Sequence, residues 1–198
     1  MMRLTRALAC LVLLVPALSA CHHAATTPAA SPLPKVTAAD IQFMQGMIGH
    51  HTQAIEMVAL LKARTARDDM QFLGQRIQVS QTDEIRMMRT WLTNHAQRVP
   101  GDTDYTMMMQ MPDMAMPGML TQKQMDELAA AKGADFDRLF LESMIQHHQG
   151  ALTMVKTLMA SPGAGQDSSM FQFTSDVQAD QSAEINRMRA LRATMGKW

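Results

Sequence analysis

The chain has 198 residues, which is enough for one ordinary domain with a sizeable core. Its 18 lysines and arginines balance 18 aspartates and glutamates, and only 5% of its residues are aromatic, which argues against a nucleic-acid binder and against a disordered acidic tail. Methionine is the outlier with 22 residues, whereas two cysteines are too few for a disulfide scaffold.

The N-terminal residues 1–20 are predicted to form a signal peptide. Arg3 and Arg6 precede an apolar stretch over residues 7–18, which is too short to span a membrane comfortably. Small residues then precede Cys21, a pattern that resembles the lipobox of bacterial lipoproteins, in which the cysteine is acylated after cleavage. Ordinary secretory cleavage, with Cys21 incidental, is the alternative.

Cleavage before Cys21 would remove Cys10 and leave one cysteine in the mature chain. An internal disulfide and a thiolate metal cage are then both excluded. Residues 21–36 are rich in alanine, threonine and proline and are predicted to be a flexible linker between the lipid anchor and the domain. We expect the protein on the periplasmic side of a bacterial membrane. The outer membrane is slightly favoured because His22, and not an aspartate, follows the cysteine.

Residues 37–198 are predicted to form a helical domain. Thr37 is the expected N-cap of a first helix, with Asp40 in its first turn, and apolar residues follow at helical spacing. A second helix is expected over about residues 68–95. Residues 99–120 have no regular period and contain three prolines, so they are predicted to be a long loop.

The second half of the domain is predicted to contain one short and two long helices. Thr121 and Gln124 resemble a capping box that opens a short helix ending near Gly133. Long helices are expected over about residues 134–160 and 168–195, with a break between them. No segment shows the pattern of a strand.

The helices carry an internal repeat. The pattern Met-Ile-x-His-His-x-x-Ala-x-x-Met occurs at residues 47–57 and 144–154, an offset of 97. Gln-x-x-Glu-Ile-x-x-Met-Arg occurs at residues 81–89 and 181–189, an offset of 100. The repeats span about residues 38–97 and 134–195. This duplicated helical hairpin predicts an all-α four-helix bundle with the Met-rich loop as its crossover.

Two matched sets of histidines and methionines lie on the apolar faces of the first and third long helices. At 100° per residue, Met47, His50 and Met57 share one stripe, while His51 points to another side. Thioethers prefer soft ions such as Cu(I), and imidazole accepts Cu(I), Cu(II) or Zn(II), so a mixed site favours copper. The candidate ligands on these two stripes are His50 and His147, with Met47, Met57, Met144 and Met154.

Packing is the competing interpretation of these stripes. Methionine is an adaptable filler of helical cores, and a buried histidine is often hydrogen-bonded across a helix interface. Gln81, Glu84, Gln181 and Glu184 are the candidate partners of such histidines.

The loop holds seven methionines within thirteen positions. These are Met107, Met108, Met109, Met111, Met114, Met116 and Met119. A mobile loop has little core to fill, and exposing this much apolar side chain has no stability rationale. Three thioethers from such a segment can converge on Cu(I) or Ag(I). A sink for oxidants is the competing function, because exposed methionine is readily oxidised to the sulfoxide.

The patterns of common enzyme sites are missing. A ferritin-like di-iron site needs Glu-x-x-His on two helices, and this motif does not occur in the chain. Phosphate-binding loops and the usual nucleophile and zinc-protease motifs do not occur either. We therefore do not expect an enzyme.

Together, the repeated segments and the Met-Pro-Gly-Met-Leu sequence at residues 116–120 resemble the bacterial "domain of unknown function 305" family. The resemblance covers about residues 38–195. It implies a ferritin-like fold of four long helices and, because some members are exported copper-binding proteins linked to copper tolerance, it implies copper binding here. The positions that match, and that the resemblance implies as ligands, are His50, His51, His147, His148, Met47, Met57, Met144 and Met154.

The function we expect is that of an exported, lipid-anchored protein that binds copper. Cu(I) is favoured and Cu(II) is the alternative, and the metal would be sequestered or exchanged with a periplasmic donor or acceptor protein. No nucleic acid is expected as a partner. The alternatives are a metal-free helical module that binds a partner through a Met-rich surface and, less favoured, a ferritin-like redox enzyme.

Overall fold

The computed structural model describes residues 36–101, 104 and 116–195, and the regular structure within these ranges is entirely helical. The helices are α1 (Ala38–Ala59), α2 (Leu61–Arg64), α3 (Asp68–Asn94), α4 (Gln122–Ala130), α5 (Gly133–Ala160) and α6 (Ser168–Thr194). The predicted all-α class is confirmed. The short helix α4 ends three residues before the predicted Gly133, and the long helices begin and end close to their predicted positions.

Capping boxes are present at both predicted helix starts, Thr37 with Asp40 and Thr121 with Gln124. Thr37 Oγ1 accepts from the Asp40 amide at 3.2 Å, and the Asp40 carboxylate accepts from the Thr37 amide at 2.8 Å. The other carboxylate oxygen of Asp40 accepts from the Gly165 amide at 2.8 Å. Asp40 therefore caps α1 and also fastens it to the turn between α5 and α6.

The four long helices pack side by side. α1 lies against α3, and α5 lies against α6, as expected for two helical hairpins; α1 also contacts α5, and α3 contacts α6. This packing is compatible with a four-helix bundle. Across the ranges that the structure describes, no helix is both long enough and apolar enough to cross a membrane.

The core consists of two apolar clusters. One cluster contains Ala54 of α1 and Met144 of α5, whereas the other contains Met47 of α1 and Ala151 of α5. His50 lies in sequence between Met47 and Ala54, and His147 between Met144 and Ala151. The histidines therefore occupy a polar layer between the two apolar clusters.

Candidate metal centre

Four buried imidazoles form a row across the polar layer. The ring centroids of His50 and His147 are 3.8 Å apart, with an angle of 40° between the ring planes. His51 lies 6.2 Å from His50, and His148 lies 6.2 Å from His147. All four side chains have 0% exposure. We call these four residues the histidine row.

The two outer histidines are each held by a glutamate. His51 Nε2 lies 2.5 Å from Glu84 Oε2, and His148 Nε2 lies 2.6 Å from Glu184 Oε2. An ionised carboxylate can only accept, so Nε2 carries the hydrogen and donates it. In a neutral imidazole this arrangement leaves the lone pair on Nδ1. A histidine that donates one N–H to a carboxylate and presents its other nitrogen is the usual geometry of a metal ligand.

The two inner histidines differ from each other. His50 Nε2 donates to the Pro117 carbonyl at 3.0 Å, whereas neither ring nitrogen of His147 reaches a hydrogen-bond partner in the described part of the chain. Burial, then the charge of His51, lowers the pKa of His50 from 6.5 to about 3. Burial, then the charge of His50, lowers the pKa of His147 well below 6.5. Both rings are therefore neutral at pH 7 and are available as ligands.

Unsatisfied polar atoms are concentrated in this layer. The Nδ1 atoms of the histidine row are buried and have no hydrogen-bond partner within the described residues, and the side-chain amides of Gln81 and Gln181 share this property. Such atoms are rare in native proteins, and an absent ion is one of their ordinary explanations. The glutamines considered as histidine partners on sequence grounds do not act as such; Glu84 and Glu184 do.

The donors suit a soft ion better than a hard one. Among residues 36–101, 104 and 116–195, no three His, Cys, Asp or Glu side chains are arranged to hold a metal ion. Ions such as Mg²⁺ or Ca²⁺ need several oxygen ligands, whereas Cu(I) accepts imidazoles and neutral thioethers at low coordination number. The imidazoles of the histidine row are ligands of a type that copper accepts.

The methionines predicted in the helices lie at buried or half-buried positions. Met47, Met57 and Met144 are fully buried, whereas Met154 is half-buried. A methyl group placed on Gly46 would lie 2.9 Å from Met116 Sδ and 3.6 Å from Met154 Cε. Gly46 therefore leaves space at which two thioether side chains come together, one helical turn before His50.

The end of the predicted loop, residues 116–120, packs against α1 and α5; we call it the strap. Gln53 anchors it by donating to the Leu120 carbonyl at 2.9 Å and accepting from the Leu120 amide at 2.7 Å. A Cβ on Gly150 would lie 1.9 Å from Pro117 O, so only glycine admits the strap there. This end of the loop is thus packed against the helices, contrary to the mobile loop expected from the sequence.

Replacing Gly150 by alanine should unseat the strap. We expect Gly150→Ala to lower the free energy of unfolding by about 1–3 kcal/mol, because the new methyl group collides with backbone. Gly46→Ala is the comparison, since its methyl group meets the movable side chains of Met154 and of Met116 in the strap, and no backbone atom. Urea unfolding and hydrogen exchange of the Leu120 amide measure the two effects. Equal stability and equal exchange in the two variants would contradict this account of the strap.

The remaining predicted site residues lie outside the described residues. They are Cys21, Met107, Met108, Met109, Met111 and Met114. Met116 and Met119 are half-buried members of the strap.

The helical spacing and the repeat did not predict the packing site of the strap. The signal was present, because the offset of 97 places Gln53 opposite Gly150 and so breaks the repeat beside the paired histidines. In the first repeat Gln53 forms the hydrogen bonds that hold Leu120, and in the second repeat Gly150 leaves room for the Pro117 carbonyl. As a result, His50 is hydrogen-bonded to the strap whereas its counterpart His147 is not.

Comparison with known proteins places this arrangement in a family. Residues 40–192 match the profile of the family described as Domain of unknown function (DUF305). The chain belongs to the DUF305 family. No curated protein matches the sequence.

Solved DUF305 structures share the fold. A protein from Streptomyces coelicolor, described as a candidate secreted member, is 28% identical with a TM-score of 0.67, over 80% of this chain and 94% of its own. A DUF305 fragment from Deinococcus radiodurans is 27% identical with a TM-score of 0.65, over 81% of this chain and 99% of its own.

A third similar structure is CopM in its Cu(II)-bound form. It is 29% identical to this chain with a TM-score of 0.64, over 79% of this chain and 97% of CopM. CopM is also known in Cu(I)-bound, silver-bound and apo forms, at identities of 27–28%.

Proposed function

We propose that this DUF305 protein binds copper, with Cu(I) as the preferred ion, and that it sequesters the ion or passes it to another protein. The observation that carries the proposal is the buried histidine row, whose Nδ1 atoms have no partner within the described ranges. The copper-bound forms of CopM, a structural neighbour, support the choice of metal. The proposal assigns these residues to metal binding and not to catalysis.

The inner pair His50 and His147 is the proposed centre of the site. Their low pKa values keep both imidazoles neutral, so copper need not displace a proton from them in mild acid. Met47 and Met144 precede these histidines by one helical turn and are buried, which places thioethers on the same faces of α1 and α5. The outer histidines, oriented by Glu84 and Glu184, flank the pair.

Removal of the inner pair should weaken copper binding strongly. We expect His50→Ala/His147→Ala to raise the Kd for Cu(I) at least about tenfold, measured by competition with a chromophoric Cu(I) chelator. His95→Ala is the control, because His95 bonds to the Trp91 carbonyl at the end of α3 and lies outside the row. Unchanged Cu(I) affinity in the double variant would remove the histidine row from the site.

The loop methionines should add copper capacity, and replacing them should leave the helices folded, although Met116 and Met119 also pack in the strap. Replacing all seven methionines of residues 107–119 by leucine should lower the number of Cu(I) ions bound, because leucine keeps the apolar bulk and lacks the thioether. Circular dichroism should remain unchanged. Binding measured beside the parent protein tests this; an unaltered stoichiometry would take the loop out of the copper site.

We also propose that the protein is exported and anchored through acylated Cys21 at the periplasmic face of the membrane. The lipobox-like sequence before Cys21 supports this, as does the relative from Streptomyces coelicolor described as a candidate secreted protein. Mass spectrometry of the mature N-terminus and the membrane fraction of a Cys21→Ser variant test the anchor. A soluble parent protein with unmodified Cys21 would contradict it.

A further inference from the structure

An open groove of about 660 Å³ runs between α3 and α6, on the outer side of the histidine row. Three large apolar side chains are exposed along its α3 wall, among polar residues: Phe72 is 62%, Val79 is 58% and Met87 is 41% exposed. We call these three residues the apolar rail. The Arg76 guanidinium lies over the Phe72 ring, 6.0 Å from its centroid. The rail residues are separated by seven and eight positions, so they follow one face of the helix over about 22 Å. Three large exposed apolar side chains on one helix face beside an open groove favour an interaction site.

The opposite wall of the groove is acidic. Asp176, Asp180 and Glu184 line it from α6, and Asp83 and Glu84 add two carboxylates from α3. Two guanidinium groups, of Arg76 and Arg187, also line the groove, so five carboxylates face two cations. Asp83 is also paired with Arg86 at 3.1 Å, so five carboxylates stand against three guanidinium groups and the α3/α6 groove carries an excess of two negative charges.

The negative charge is densest around Asp180. Burial raises the pKa of Asp180, the carboxylates of Glu84, Glu184 and Asp176 raise it further, and the Arg187 guanidinium offsets part of the rise. A cation placed beside these carboxylates would be favoured, since it relieves their mutual repulsion. The groove thus combines an apolar rail on one side with a site for positive charge on the other.

We propose that the α3/α6 groove is the docking surface for a basic amphipathic helix of a partner protein. The length of the rail matches a helix of about 15 residues, whose apolar face would lie on Phe72, Val79 and Met87 while lysines or arginines face Asp176 and Asp180. The recognition is that of a helix laid in a groove, with charge setting its orientation.

Charge disfavours the two other occupants. In a symmetric dimer the groove would face its own copy, which brings two acidic surfaces together. A membrane surface is disfavoured for the same reason, because anionic headgroups and the groove repel each other.

Docking in the groove reaches the metal centre through two shared residues. Glu84 and Glu184 line the groove and also hold His51 and His148. A partner cation bound beside Glu84 or Glu184 would therefore be separated from the outer histidines only by these carboxylates. The docking proposal does not rest on copper binding, so either proposal can fail without the other.

Selection from a displayed peptide library tests the proposal. The library consists of 16-residue helices with Leu, Met, Ile or Phe on one face and Lys, Gln or Glu at the flanking positions. We expect the purified protein to enrich lysine-rich members and to bind the best one at least tenfold more tightly than the Phe72→Ser/Val79→Ser variant does. Enrichment of neutral or acidic members, or equal binding by that variant, would overturn the proposal.

Phe171→Ser is the matched control for the apolar rail. Phe171 is 56% exposed, close to the exposure of Phe72, and lies outside the groove. We expect this variant to keep full binding, and Asp176→Asn/Asp180→Asn to bind several-fold more weakly with less dependence on salt. Exposed substitutions of this kind leave stability nearly unchanged, which thermal unfolding checks.

Two further outcomes would also overturn the proposal. One is self-association of the parent protein that Phe72→Ser/Val79→Ser abolishes, measured by analytical ultracentrifugation, because the occupant would then be a second copy. The other is binding to vesicles of anionic phospholipid that the same variant loses, because the occupant would then be a membrane.

Discussion

The free energy of unfolding of the metal-free protein should fall steeply as the pH drops below 6.5. The pKa of His50 is about 3 in the folded protein and about 6.5 in the unfolded chain, so the unfolded state binds this proton first. The stability from a neutral His50 is complete above pH 6.5 and is lost progressively as the pH falls towards 3. Between pH 6.5 and pH 4 the loss is about 3 kcal/mol for this residue alone.

The second inner histidine should add to this loss. The pKa of His147 is also well below 6.5, and protonating both rings of a pair at 3.8 Å brings two cations together. Urea unfolding at a series of pH values from 7.5 to 4 measures the slope. Acid should therefore open the core at the polar layer before it disturbs the apolar clusters.

His147→Leu is the sharpest variant for this test. The ring of His147 approaches the backbone of His50 but forms no hydrogen bond of ordinary geometry in the described structure, so the substitution removes little hydrogen bonding. We expect it to lower the slope by about 1.4 kcal/mol per pH unit. His95→Ala, outside the row, should leave the slope unchanged. An unaltered slope in His147→Leu would mean that carboxylates and not the inner histidines set the acid sensitivity.

Removal of a glutamate that holds an outer histidine should be the most damaging single substitution. We expect Glu184→Ala to lower the free energy of unfolding by about 3 kcal/mol. The His148 N–H would lose its acceptor in a place with no solvent access, because His148 is 0% exposed. Denaturant unfolding at pH 7.5 gives the value directly.

Two companion variants separate the hydrogen bond from packing. Glu184→Gln keeps an oxygen acceptor of nearly the same size, so most of the stability should return. His148→Phe/Glu184→Leu removes both polar groups together and should be far less destabilising than Glu184→Ala. If all three variants were equally unstable, the volume of the side chains and not the hydrogen bond would be responsible.

Loss of a glutamate and a fall in pH should affect copper binding differently. Glu84 and Glu184 hold the outer imidazoles with Nδ1 turned away from the carboxylate, so losing either should also weaken metal binding. Mild acid should not displace copper from the inner pair, since both imidazoles remain neutral well below pH 6.5. Stability and copper affinity are thus expected to respond differently to the same fall in pH.

Helix positions were predictable because their determinants are local. The capping boxes at Thr37 and Thr121 depend on residues three positions apart, and the apolar spacing within each helix needs no tertiary contact. The repeat offset of 97 also identified equivalent histidines, His50 with His147 and His51 with His148. These are properties that a single segment, or two aligned segments, already contain.

The packing of the strap against α1 and α5 was not predictable, because the residues that form its contacts are far apart in the chain. Gln53 and Leu120 are 67 residues apart, and Gly150 is useful only because Pro117 approaches it. The role of Asp40 shows the same limit: the sequence predicts a helix cap, but its second bond to Gly165 spans 125 residues. Contacts of this kind depend on loop closure and helix packing, which periodicity does not encode.

By itself, the sequence determined the helical class, the duplication and the soft-donor chemistry of the histidines and methionines, because spacing and side-chain type decide these. Only the tertiary structure decided how the four histidines are used. In the folded chain the rings of His50 and His147 are in contact. His51 and His148 are each hydrogen-bonded to a separate glutamate, and of the two inner histidines only His50 is hydrogen-bonded to the strap. The physical reason is that equivalent sequences become inequivalent when one crossover segment packs on a duplicated core.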